Sequence, residues 1–208
     1  ISLSIKHHRK ALNYFEKGDE IAKDNYFISY NNMGAMMWFS SKTDSALLYY
    51  DKALQTLIEM EPNPKNQYYR SANVLNNKAA LFSISGRTTE ALDTMQDAVK
   101  KYKQFIDSQL ISDTDRSGAQ QALFRSIENL GGVYKELGDF SKTRELLLYS
   151  YAQKKEHLEA ENPDLFKAQI LLGQIELSLK NYDQALTYLN AGIKHIEQLP
   201  DDYLFWSG

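Results

Sequence analysis

The 208-residue chain has no cysteine, which excludes disulfides, thiolate metal sites and a cysteine nucleophile together. Only 4 prolines and 10 glycines interrupt it. It holds no apolar run approaching the ~20 residues that a bilayer-spanning helix needs, and no basic-then-apolar leader at its start. Charge of one sign is also lacking: 24 Lys and Arg against 27 Asp and Glu leave a net charge of −3. The broad positive field of a nucleic-acid binder is therefore missing, and no nucleic-acid partner is expected. The four histidines, His7, His8, His157 and His195, include no i, i+4 pair with a glutamate between them of the kind that holds zinc on a helix. No GxGxxG, GxxxxGK[ST] or GxSxG occurs, so there is neither a phosphate cradle nor a nucleophile elbow. The expectation is a protein with no metal, no cofactor and no catalytic activity. The absence of cysteine is compatible with both cytosolic and exported compartments; a cytoplasmic place is the first expectation and a periplasmic sensor region the second. The chain opens without Met inside the helix-like ISLSIKHHRKALNYFEKG and stops at YLFWSG, which reads as a piece of a longer protein.

What is present is a helix-forming mixture, and within it one pattern written four times. The stretches NNMGAMMW (31–38), NNKAALFS (76–83), ENLGGVYK (128–135) and LLGQIELS (171–178) align on a small residue at Gly34, Ala79, Gly131 and Gly173, at intervals of 45, 52 and 42 residues. Twelve residues after each anchor stand Ala46, Ala91, Thr143 and Ala185, followed in three units by a large residue four further on, Tyr50, Met95 and Leu189. Between the two landmarks lie SSKTD, SGRTTE, LGDFSK and LKNYDQ, the chemistry of helix stops and N-caps. Each unit reads as helix, tight turn, helix, with the anchors expected where the two helices cross and a side chain would hold them apart. KALNYFEKGDEIAKD fits the second helix of one further repeat, with Ala11 and Phe15 in the same roles.

Leu130, Gly131, Tyr134, Gly138 and Phe140 carry a resemblance to the tetratricopeptide repeat family, extending over residues ~5 to 200. Ala79 in place of the anchor Gly, Thr143 in place of Ala and Glu176 in place of Tyr depart from the pattern, and the closing proline is matched only loosely by Pro62, Pro64 and Pro163. Units this long resemble the long-helix variety found in kinesin light chains and in bacterial multidomain signalling proteins. The resemblance implies an all-α, right-handed superhelical solenoid of antiparallel helix hairpins, about four and a half repeats long. Its expected divisions are a single array over 1–208: the second helix of a partial repeat (1–24), repeats at 25–62, 66–110, 117–161 and 163–199, and the start of a further helix at 200–208. The longest interval is expected to hold a loop near 112–118 and lengthened flanking helices.

Two residues before the anchors stand Asn32, Asn77 and Asn129, and then Leu171. Asparagine is a mediocre helix former, so its recurrence at one structural position points to a polar task. In the resembling family this position commonly holds the backbone of an extended peptide in a groove lined by the first helices. Asn73, Asn76, Arg125, Glu128 and Lys135 lie one turn away and are candidate specificity residues, Glu128 blunting the positive field of Arg125 and Lys135. Trp38, near the end of a first helix, is a candidate groove-lining aromatic. The function expected is a protein- or peptide-binding scaffold or sensor module, with a regulatory arm of a signalling protein or a self-association surface as alternatives. Partners are then a protein, a peptide or adjacent domains of the same chain, with no direct membrane insertion of this segment.

Overall fold

The computed structural model describes residues 20–109, 111–159 and 162–196, together with Lys6. Among them every regular element is helical: α1 Glu20–Phe39, α2 Thr43–Glu59, a π-helical turn Lys65–Arg70 leading into α3 Ser71–Ile84, α4 Thr88–Ile106, α5 Asp113–Glu136, α6 Phe140–His157, α7 Pro163–Ser178 and α8 Tyr182–Ile196. The chain forms two compact units, Ile1–Ser126 and Ile127–Gly208. In the first, α1 packs on α2 and α3 on α4, and α1 and α2 each also touch α3. In the second, α7 packs on both α6 and α8.

Among the described residues, all four hairpins turn by one device. The residue seven after each anchor has left-handed backbone: Ser41 (φ 56°), Gly86 (φ 72°), Gly138 (φ 79°) and Lys180 (φ 63°). The next amide folds back to close the helix end, Lys42 to the carbonyl of Met37, Arg87 to Phe82, Asp139 to Tyr134 and Asn181 to Glu176, each at 2.9 Å. This is the Schellman closure, which satisfies carbonyls that a helix end otherwise leaves unpaired. Two of the four positions carry a side chain where glycine fits without strain. Ser41→Gly and Lys180→Gly are each expected to raise stability by about 1 kcal/mol, read as a higher denaturation midpoint.

The residues twelve after the anchors are all buried, Ala46, Ala91 and Ala185 completely and Thr143 to 2% exposure. The anchors themselves divide into two kinds. A Cβ added at Gly34 meets the Tyr50 ring at 2.5 to 2.9 Å, and one at Gly173 meets Leu189 at 2.5 Å, so close helix approach is what those glycines allow. Gly131 differs from the expectation: an added Cβ finds its nearest neighbours at 3.7 to 3.8 Å, ordinary contact. The reason lies across the hairpin, where Thr143 stands in place of alanine and its hydroxyl bridges to the carbonyls of Gly131 (3.0 Å) and Asp139 (2.9 Å), spacing α6 from α5. Gly131→Ala is therefore expected to stabilise, by ~0.5–1 kcal/mol of helix propensity.

Tyr50 is fully buried and its hydroxyl has no hydrogen-bond partner among the described residues. Burial pushes its phenol up to about 12 from the ordinary 10.0. Because the folded state holds this proton more tightly than the unfolded chain, the stability from burying the neutral ring is intact below pH 10 and is lost as pH rises toward about 12. Alkaline titration is expected to show this phenolate appearing only together with loss of helical circular dichroism.

The helix boundaries correct two expectations. Residues 20–24 belong to α1, not to the partial repeat assigned to 1–24. The break in the long interval lies at 107–112 rather than 112–118, since α5 already begins at Asp113. The polar SDTD stretch is a helix start: the Ser112 hydroxyl accepts from the Asp115 amide at 3.1 Å and donates to its carboxylate at 3.0 Å, while Asp113 and Asp115 sit in the first turn. Arg116 reaches back to the carbonyls of Ile106 and Ser108 and closes the end of α4. The flanking helices are lengthened as expected, to 19 residues in α4 and 24 in α5. Pro163 opens α7, where the Asn162 side chain accepts from the Asp164 amide at 2.9 Å. The remaining expectations for residues 7–19 and 200–208, including Ala11, Phe15, His7 and His8, lie outside the described residues.

Candidate functional site

The first-helix face of the first unit is built from helical spacing. Ile28, Asn32, Ala35 and Phe39 follow one another along α1, and Asn73, Asn77, Ala80 and Ile84 along α3, in the same register to their anchors. Ile28 is 41% exposed, Phe39 77% and Ile84 67%, so apolar ends flank the asparagine positions. Trp38 is half-buried and its ring lies 6.1 Å from that of Phe39 at an interplanar angle of 13°. Asn32 is exposed and Asn77 half-exposed, and neither side chain has a hydrogen-bond partner among the described residues.

The neighbouring asparagines behave differently. Asn73 donates to the Tyr69 carbonyl at 3.0 Å and accepts from the Tyr102 hydroxyl at 2.7 Å. The Asn76 carbonyl oxygen accepts from Ser126 at 3.0 Å. Tyr102 is 2% exposed, and burial raises its phenol well above the usual range. These contacts tie α3 to α4 and α5, so Asn73 and Asn76 spend their polar atoms bracing the fold rather than facing a ligand.

In the second unit Asn129, Arg125's neighbour one turn on, is exposed and already engaged within the chain. Glu128 is not the solvent-facing carboxylate expected: it accepts from Lys154 at 2.6 Å and from Ser150 at 3.1 Å, and the Lys154 side chain is 2% exposed. Its charge is met inside the fold, so it does not offset exposed Lys135. Arg125, in the first unit, is exposed as well. A second buried carboxylate, Glu176, is held by Arg144 at 2.6 Å and Asn181 at 2.7 Å. Leu171, at the position that carries asparagine in the other repeats, is 36% exposed.

Sequence reasoning missed both buried carboxylate clusters, because a lone glutamate in a helix has the same local signature whether solvated or paired. It also missed the π-helical turn, whose signal was the pair Pro62 and Pro64 just before a polar KNQYYR. Among the described residues no three His, Cys, Asp or Glu side chains group as metal ligands, and no helix is long and apolar enough to cross a membrane.

Antiparallel hairpins with one shared turn geometry, anchored by small residues and presenting one face of their first helices, define a helical-hairpin repeat protein, a class built for protein interaction. The repeats are tetratricopeptide-like: residues 166–194 match the family model described as tetratricopeptide repeat. Comparison with curated proteins returns no sequence match. Among solved structures, BtubC (BKLC) from P. vanneervenii is similar with a TM-score of 0.74 and 19% identity, over 91% of this chain and 70% of that one. The apo form of RapI gives a TM-score of 0.72 and 19% identity, over 93% of this chain and 63% of that one. A Podosopora anserina kinesin light chain protein with nearly identical tetratricopeptide-like repeats gives 0.59 and 14%, over 98% and 96%. At these identities the likeness establishes the fold.

Proposed function

We propose that the chain is a binding module whose first-helix face holds an extended peptide segment of a partner protein, without cofactor or catalysis. One observation carries this reading: Asn32 and Asn77, at the same register of touching helices, keep amides without a partner among the described residues, whereas Asn73 and Asn76 nearby are tied into the fold. A side-chain amide donates and accepts at once, which matches the alternating groups of an extended backbone. Arg125 and Trp38, both in the first unit, are side-chain selectors that favour acidic and apolar residues in the bound segment.

The test is a peptide selected against the whole chain from a random display library, with affinity measured by fluorescence anisotropy. Asn32→Ala with Asn77→Ala is expected to leave the melting temperature unchanged or higher, since Ala is the better helix former. Affinity is expected to fall about 5- to 150-fold, at ~0.5–1.5 kcal/mol per lost hydrogen bond. A destabilised double variant, or a stable one that binds as before, refutes the reading.

A second reading, contact with a neighbouring domain or a second copy, is favoured by the outer face of α8, where Tyr182, Leu186 and Ile193 share one side and are 65%, 60% and 47% exposed. Leu186→Glu is expected to abolish any concentration-dependent mass increase in light scattering; an association unchanged by it removes this face from consideration.

A further inference from the structure

We propose that the polar cleft beneath the π-helical turn of the first unit binds a small zwitterion of the α-amino-acid class. The cleft, about 470 Å³, is lined by Asp24 and Asn25 of α1, Met60, Glu61 and Asn63 of the α2 connection, and Lys65, Asn66 and Arg70 of the turn. That volume falls in the range of small-molecule sites and exceeds what one amino acid fills, so a free amino acid or a dipeptide fits.

The turn builds the site. The Asn63 side chain accepts from the Asn66 amide at 2.9 Å, and the Asn66 carbonyl accepts from Ser71 at 3.0 Å. Single π-helical turns are rare and are frequently found at functional sites. Within this turn Asn66 is only 4% exposed yet lines the cleft. Its carbonyl oxygen accepts from Arg70 Nη1 at 3.1 Å, and its Nδ2 donates to no atom among the described residues. Arg70 stacks 5.0 Å above the Phe27 ring and pairs through Nη1 with Asp24, so its plane is fixed while Nε and Nη2 stay uncommitted. A buried amide donor beside a clamped guanidinium is a fork for a carboxylate.

Charge then selects the rest of the ligand. Two carboxylates, Asp24 and Glu61, and two cations, Lys65 and Arg70, line the cleft. Asp24 is taken by Arg70, and Lys65 lies 3.5 Å from Asp115, whereas Glu61 has no cationic partner among the described residues. A bare anion meets a wall of balanced charge. A molecule with both poles places its carboxylate on Arg70 and Asn66 and its ammonium at Glu61, with its side chain against Met60.

The experiment is a thermal-shift screen of the whole chain with the free L-amino acids and L-alanyl-L-alanine, followed by calorimetry on the hits, their N-acetyl forms and their methyl esters. The expected result is a dissociation constant tighter than about 1 mM for at least one zwitterion, weakened at least ~10-fold by either blocking group. Glu61→Gln, at an exposed position, is expected to weaken the zwitterion about 10-fold and to leave the N-acetyl form unaffected; Arg70→Lys is expected to weaken both. Preference for the free amino acid or for the dipeptide tells a metabolite from a peptide fragment as the source. No binding by any probe, equal binding of a blocked form, or binding indifferent to Glu61→Gln overturns the proposal, and the Glu61 arm decides it even where Arg70→Lys fails to fold. Asn32→Ala with Asn77→Ala is expected to leave this binding intact, which separates it from the peptide face.

Discussion

Glu128→Ala is expected to lower the stability of the chain by ~3–5 kcal/mol. The Lys154 side chain is 2% exposed and that of Glu128 12%, and the two meet at 2.6 Å. Removing the carboxylate leaves an ammonium in the interior with, among the described residues, only the Asp164 carbonyl, at 3.3 Å, to receive it. The Coulombic attraction of such a pair is largely offset by the desolvation of both ions, so its presence adds little, while its half-removal is costly. The companion variant, Glu128→Leu with Lys154→Met, is therefore expected to recover most of the loss or to exceed the native stability. Denaturation midpoints of the three proteins measure this, and a Glu128→Ala variant within about 1 kcal/mol of the native chain contradicts a closed pair.

Gly34→Ala is the second large effect, and it runs against helix propensity. An added Cβ lies 2.5 Å from a ring carbon of Tyr50, a rigid side chain with no exposed surface into which to swing. Overpacking of this kind costs ~1–3 kcal/mol, more than the ~1 kcal/mol by which Ala is the better helix former. Combining it with Tyr50→Leu is expected to restore much of the loss. Gly173→Ala is expected to be milder, because Leu189 is only half-buried and has rotamers to use. A stabilised Gly34→Ala protein speaks against the close crossing of α1 and α2.

The contrast between Gly34 and Gly131 shows what could be read from the residues alone. The repeat interval, the tight turns and the buried small residues twelve positions on were legible, because each is a one-dimensional spacing imposed by helix geometry. That Gly131 has room was not, since the answer lies in the hydroxyl of Thr143, which the pattern registers only as a departure from alanine. The same limit applies to the site. The register of Asn32, Asn77 and Asn129 could be counted, but whether an amide is spent inside depends on partners far along the chain, Tyr102 for Asn73 and Ser126 for Asn76. Glu128 reads as a candidate specificity residue for that reason: Lys154, 26 residues away, leaves no local trace. The start of α5 escapes the sequence for a different cause, because Ser and Asp favour both loops and helix first turns, and only the return bond from Asp115 decides between them.

The shared turn also governs how the chain reaches its fold. Each reversal is closed by an amide reaching a carbonyl five residues back, and each hairpin zips outward from it, so the contacts that commit a repeat are sequence-local. Loop closure is entropically cheap at such distances, and helical proteins dominated by local contacts fold in microseconds to milliseconds. Nucleation can begin at any of the four reversals, with no long-range strand to wait for. A lesion at one turn, such as Gly86→Val where φ is 72°, is then expected to slow or lose its own hairpin while the other reversals still initiate at their native rate.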